Sequence, residues 1–172
     1  MAVLNPKFLS HGTLESRDLE RSRKFYAEFL GLEVVRTSDR SLMIRLGGDH
    51  VYAVVLNPRK PEMPVLNHNG LDVSSREEVD RCHEIAVAEQ EKWGIKKITR
   101  PVDAHGTYGF YLADPDDNWW EILTNPDGGY AWMFAKGEDI DSWGAGEESG
   151  YNPNEFTRLR PGSKKKAAAT PK

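Results

Sequence analysis

Apolar positions recur along the chain in two similar runs. In the first, DLERSRKFYAEFLG places Leu19, Phe25, Tyr26, Phe29 and Leu30 at near-helical spacing, and Gly31 follows as a C-cap. In the second, SSREEVDRCHEIAVAEQEKWG spaces Val79, Cys82, Ile85 and Ala86 the same way. Ser74 or Ser75 supplies an N-cap there, and Gly94 stands past the helix end. A short apolar strand follows each helix, over residues 32–36 and 95–99. Two more strands follow in each run: 41–46 and 51–56 around the turn GGDH, and 107–113 and 119–123 around the turn DPDDN. Each run also opens on a similar stretch, HGTLES from His11 and HNGLDV from His68. Both stretches have the form His-x-x-Leu-acid, 57 residues apart (11 to 68).

The pattern therefore predicts an α+β protein built from an internal repeat. Two modules of order strand, helix, strand, strand, strand span about residues 8–57 and 65–125. The linker NPRKPEMP, with three prolines in eight residues, separates them. One module is too small for a comfortable core, so the two sheets are expected to pack as one domain over residues 1–136.

Composition narrows the function classes. The chain has 172 residues and a formal net charge of −4, so no basic field attracts nucleic acid. A single cysteine excludes an intrachain disulfide and suits a reducing cytoplasm. No apolar run approaches the length of a membrane span, and the start MAVLNPKFLSHG lacks a basic leader followed by an apolar stretch. A cytoplasmic protein is expected. Residues 137–172 read as an extension. Its first part is acidic and Gly-rich but carries Trp143, Tyr151 and Phe156, aromatic anchors for the domain or for a partner subunit in a homo-oligomer. Its end, GSKKKAAATPK, is expected to be a disordered solubilising tail.

Candidate chemistry centres on three residues. His11 and His68 begin equivalent strands, and two-fold repetition predicts that they meet where the copies join. Glu121 sits in the apolar stretch WWEIL, where a buried carboxylate needs a partner. Two histidines and one carboxylate leave coordination positions open, a set suited to Fe(II) and also able to take Mn(II), Co, Ni or Zn. Cys82 reads as a small helix-face hydrophobe and His83 as a solvated residue. Trp119 and Trp120 alternate across a strand, so one should face the pocket and one pack outward.

HGTLESRDLERSRKFYAEFLGLEVV and FYLADPDDNWWEIL resemble the two best-marked motifs of the vicinal oxygen chelate superfamily. That superfamily includes glyoxalases, bleomycin- and fosfomycin-resistance proteins and type I extradiol dioxygenases. The resemblance implies paired βαβββ modules forming a cupped mixed sheet around a metal, with His11, His68 and Glu121 at the ligand positions. Glyoxalase-like members usually draw a carboxylate from the last strand of each module. Here that slot falls on Ala53 or Val54, and neither can bind a metal. HGTYGFYLADPDDNWWE is similar to the extradiol ring-cleavage signature at Phe110-Tyr111, Asp114-Pro115 and Glu121. It departs in a gap after His105 that is one residue short, and in Asp117 where the signature has a turn glycine. The resemblance places an acid/base histidine at His50; His105, on a Gly-flanked loop near the pocket mouth, is the other candidate, and Tyr111 reads either as a hydrogen-bonding residue for substrate or as a barrel-lining aromatic. The implied activity is Fe(II)-dependent opening of a small aromatic diol by O2. A glyoxalase-like lyase, isomerase or thiol transferase, and a binding protein of the bleomycin-resistance kind, are the alternatives.

Overall fold

The computed structural model describes residues 3, 6–104, 106–125, 129–131 and 134. Its first half begins with β1 (His11–Ser16), which leads into α1 (Leu19–Lys24). The Asp18 carboxylate caps that helix by accepting the amides of Glu20 and Arg21 at 3.0 and 3.1 Å. The helix then widens into a π-helical turn over Phe25–Phe29, where the Leu30 amide reaches the Phe25 carbonyl. Gly31, at φ +71°, turns the chain out. β2 (Glu33–Ser38), β3 (Ser41–Arg45) and β4 (Val51–Leu56) complete a sheet of order β1-β4-β3-β2, in which only β1 and β4 run parallel.

The second half repeats this plan. β5 (His68–Asp72) precedes α2 (Arg76–Ala88), which is capped by Ser75 through the Glu78 amide at 3.2 Å. The helix breaks at Glu89 (φ −106°, ψ 13°), and a single turn, α3 (Gln90–Trp93), follows it before Gly94 at φ +67°. β6 (Lys97–Ile98), β7 (Val102–Ala104), β8 (Thr107–Ala113) and β9 (Trp119–Thr124) give the order β5-β9-β8-β6, with β7 also on β8. The apolar pattern does not predict β7, because three residues are too few to show alternation. Arg76 helps hold it, donating to Asp103 at 3.0 Å while its guanidinium lies 3.8 Å over the Tyr108 ring.

The architecture is thus the predicted α+β pair of βαβββ modules, each with a mixed sheet. One apolar cluster joins them. Leu14, Leu42, Ile44 and Val54 from the first sheet and Phe110, Leu112, Trp120 and Ile122 from the second meet the helix residues Phe25, Tyr26, Val79 and Ala86. Strand alternation then assigns the opposite faces. His11, Thr13, Val51 and Ala53 share one, and His68, Tyr111, Trp119 and Glu121 the other. Three expectations change. Trp120 lies in the core rather than packing outward. His83 rests edge-on against Phe110 at 5.1 Å rather than in solvent, and Ile85 is exposed. Cys82 packs against the core as a small hydrophobe.

The turn DPDDN welds the modules. Asp114 is buried and accepts from Tyr26 Oη (2.7 Å), Asn118 Nδ2 (2.9 Å) and the amides of Asp116 and Asn118 (2.8 and 2.9 Å). Asp116 accepts from Ser22 Oγ (2.6 Å), Arg21 Nη2 (2.7 Å) and the Arg17 amide (3.0 Å). Asn118 also donates to the Glu15 carbonyl at 3.0 Å. Burial first, then the charge of Asp114, pushes the Tyr26 phenol well above its ordinary pKa, so it stays a donor. Asp117 sits at φ +62°, the left-handed conformation that Asp tolerates in place of glycine.

Gly109 faces the β9 backbone so closely that a Cβ there would lie 2.8 Å from the Ile122 carbonyl oxygen. Gly109→Ala is therefore expected to cost about 1–3 kcal/mol in a denaturant melt. Gly70→Ala, 3.3 Å from a movable Leu123 methyl, should cost less. Among the described residues no helix is long and apolar enough to cross a membrane. Trp143, Tyr151, Phe156 and the Lys/Ala/Pro tail lie outside the described residues.

Candidate metal centre

The second sheet builds a polar site on the face away from the core. β9 puts Glu121 beside Tyr111 of β8 in register, and β5 brings His68 alongside. His68 Nε2 lies 3.3 Å from Glu121 Oε2. His68 Nδ1 lies 2.7 Å from the Val65 carbonyl, which can only accept, so Nδ1 carries a proton. The lone pair of Nε2 then points at a carboxylate oxygen that is also an acceptor. A proton or a cation between them satisfies both. In the protonated case the Glu121 hydrogen bond, with the Val65 carbonyl assisting against burial, lifts His68 above the ordinary imidazole pKa. The same two donors, with a carbonyl orienting the imidazole from behind, also suit a divalent metal.

The walls are largely aromatic. Tyr111 meets the His68 ring edge-on at 4.9 Å, and Trp119 Nε1 donates to the Met63 carbonyl at 2.8 Å. Tyr111, Ala113 and Trp119 pack with Met63 and Val65 from the linker, and Glu121 is 6% exposed. Tyr130, hydrogen-bonded to Thr107, lies near enough to Glu121 that burial and then this charge raise its pKa. Sequence reasoning passes over Tyr130, whose only local signal is an aromatic after a Gly-Gly pair.

His11 does not join this pair within one chain. Among the described residues no three His, Cys, Asp or Glu side chains come together to hold a metal. The repeat fixes equivalent places on each sheet, while the shared core takes the helix-bearing face of both. His11 thus stays exposed on the first sheet, with Ser10 Oγ at 2.9 Å from its Nδ1. The register also settles the vacant slot. His11 pairs with Val51 as His68 pairs with Trp119, so Ala53 is the counterpart of Glu121.

His50 is placed elsewhere too. Its Nδ1 lies 3.1 Å from the Leu9 carbonyl, and its ring meets Tyr52 edge-on at 5.2 Å. Tyr52 is on the core side of β4, so His50 falls on the face opposite Ala53. The period of two along a strand makes that outcome depend on one residue of register. His105 lies outside the described residues.

Two βαβββ modules with mixed sheets sharing one core define the class of protein to which the chain belongs. The profile of the Glyoxalase/Bleomycin resistance protein/Dioxygenase superfamily matches residues 9–122, and the chain belongs to that superfamily. No curated protein matches the chain. Solved structures share the fold. Fosfomycin resistance protein FosX of Mesorhizobium loti aligns at 23% identity with a TM-score of 0.54, covering 72% of this chain and 96% of its own. A lactoylglutathione lyase of Agrobacterium tumefaciens aligns at 19% and 0.51, covering 69% and 94%. A glyoxalase/bleomycin resistance protein/dioxygenase of Nocardioides aligns at 21% and 0.51, covering 74% and 89%.

Proposed function

We propose that the chain is a divalent-metal enzyme whose ion is held by His68 and Glu121 of one copy and by His11 of a second copy. The observation that carries this reading is the approach of His68 Nε2 to Glu121 Oε2 with Nδ1 already engaged. The second copy is motivated by the face that bears His11. Val35, Met43, Ala53 and Thr13 form one row across that sheet, and Val35 and Val55 are exposed there. An apolar sheet face of this kind is suited to burial against another subunit.

The reaction we assign is the ring opening of a small aromatic diol by O2 at Fe(II), with both oxygen atoms entering the product. When bound, the ion supplies positive charge that favours the deprotonated diol, and positions for diol and O2. Ala53 supports this reading, because the slot where a fourth protein ligand would close the centre holds a methyl group. Tyr111 and Trp119 offer a flat aromatic wall for the ring. Tyr130 keeps its proton and donates a hydrogen bond to a substrate oxygen. With His50 on the other face, proton transfer is assigned to His105.

The test is anaerobic loading with Fe(II), or Mn(II) in parallel, followed by O2 uptake with a panel of catechols. Catechol-dependent uptake is expected, and Glu121→Gln should lose metal and uptake together, by at least about 10²-fold. Metal loading without uptake for any catechol would overturn the ring-opening assignment and point to non-oxidative chemistry at the same centre.

A further inference from the structure

The linker between the modules buries a cation. Lys60 is 4% exposed. Its backbone is held from both sides: its amide donates to the Asn57 carbonyl at 3.1 Å, and its carbonyl accepts Arg17 Nε and Nη2 at 3.1 and 2.7 Å. Among the described residues its ammonium has a single acceptor, the Pro61 carbonyl at 3.2 Å. Two N–H groups remain. The charges nearby are engaged elsewhere. Asp114 serves Tyr26 and Asn118, Asp117 pairs with Arg17 at 2.8 Å, and Glu15 accepts from Asn57 Nδ2 at 2.7 Å. A buried ammonium without a contacting anion is costly, and burial duly lowers the proton affinity of Lys60.

Lys60 lines a cavity of about 250 Å³ between the edge strands β1 and β5. Asn67 and Asn69 also line this space, with Tyr52, Met63 and Glu15. We propose that this cavity binds the carboxylate of a small organic acid, with Lys60 as its counter-charge and the Asn67 and Asn69 amides as further donors. One cation facing Glu15 suits a monoanion and disfavours a dianion such as phosphate. The volume admits a molecule of benzoate size. The site uses no metal ligand, so it stands or falls apart from the metal-centre reading.

The experiment titrates full-length protein in EDTA with benzoate and with its neutral analogue benzamide, at fixed ionic strength, by calorimetry. A hydrogen bond from a charged donor predicts benzoate binding at least about 10-fold tighter than benzamide. Lys60→Met should erase that preference and Lys60→Arg should retain part of it. Asn69→Leu, which fills the cavity, should weaken both ligands. Equal affinities in the wild type, absence of saturable benzoate binding, or an unchanged preference in Lys60→Met would each overturn the proposal. If Lys60→Met does not fold, the wild-type preference, its partial retention in Lys60→Arg and the weaker binding of both ligands by Asn69→Leu decide the matter.

Discussion

Mixing His11→Ala protein with His68→Ala protein, each unable to hold the ion alone, is expected to restore about a quarter of wild-type iron loading and uptake. The figure follows from the proposed two-copy site. Random exchange makes half the dimers hybrid. Each hybrid has one site with His11 from the His68→Ala copy and His68 with Glu121 from the His11→Ala copy. Its other site lacks both histidines. The structural motive is that His68 and Glu121 approach at 3.3 Å within one chain while, among the described residues, no third ligand joins them. Iron analysis after co-refolding checks the result. Two folded, iron-free variants that stay iron-free when mixed would show that the ligands do not cross between copies.

Asp114→Ala is expected to remove more than about 4 kcal/mol, most of the stability of an ordinary domain. The substitution deletes no large apolar group. It strands donors: the Tyr26 hydroxyl, the Asn118 amide and two backbone N–H groups, all pointing into a buried space. Each unsatisfied buried donor costs about 1–3 kcal/mol, so the loss accumulates. Tyr26→Phe takes away one donor and leaves Asp114 three strong ones, so about 1–2 kcal/mol is expected. Glu33→Ala breaks only an exposed pair with Arg45 and should cost less than about 1 kcal/mol. Chemical denaturation of the three variants gives the order directly. Near-equal losses would show that the buried turn does not hold the modules together.

What could be read from the sequence follows the range of the interactions involved. Gly31, Gly94, Ser75 and Asp117 announce themselves because caps and turns are decided by a few neighbouring residues. Glu121 is conspicuous in the sequence because a carboxylate in an apolar strand needs a partner, and His68 because its stretch repeats that of His11. The separation of His11 from them is not legible. Repetition specifies places within a module, and the relation between modules is set by contacts such as Tyr26 with Asp114, 88 residues apart. His50 is misplaced for the opposite reason: one residue of turn register changes the face of the sheet. Lys60 escapes notice because a proline-rich stretch reads as a connector, and no local pattern marks a lysine for burial.

The two corresponding hairpin turns have very different surroundings. Gly47 and Gly48 both sit at positive φ with open space around their Cα atoms, whereas residues 114–118 are wedged between α1 and β1. A duplicated segment has thus acquired one half that is free to vary and one that is frozen. Length changes, peptide tags or loop grafts should be accepted at 47–49 and rejected at 114–118. Lineages descended from this chain would be expected to diversify at the first turn while keeping the second nearly letter for letter.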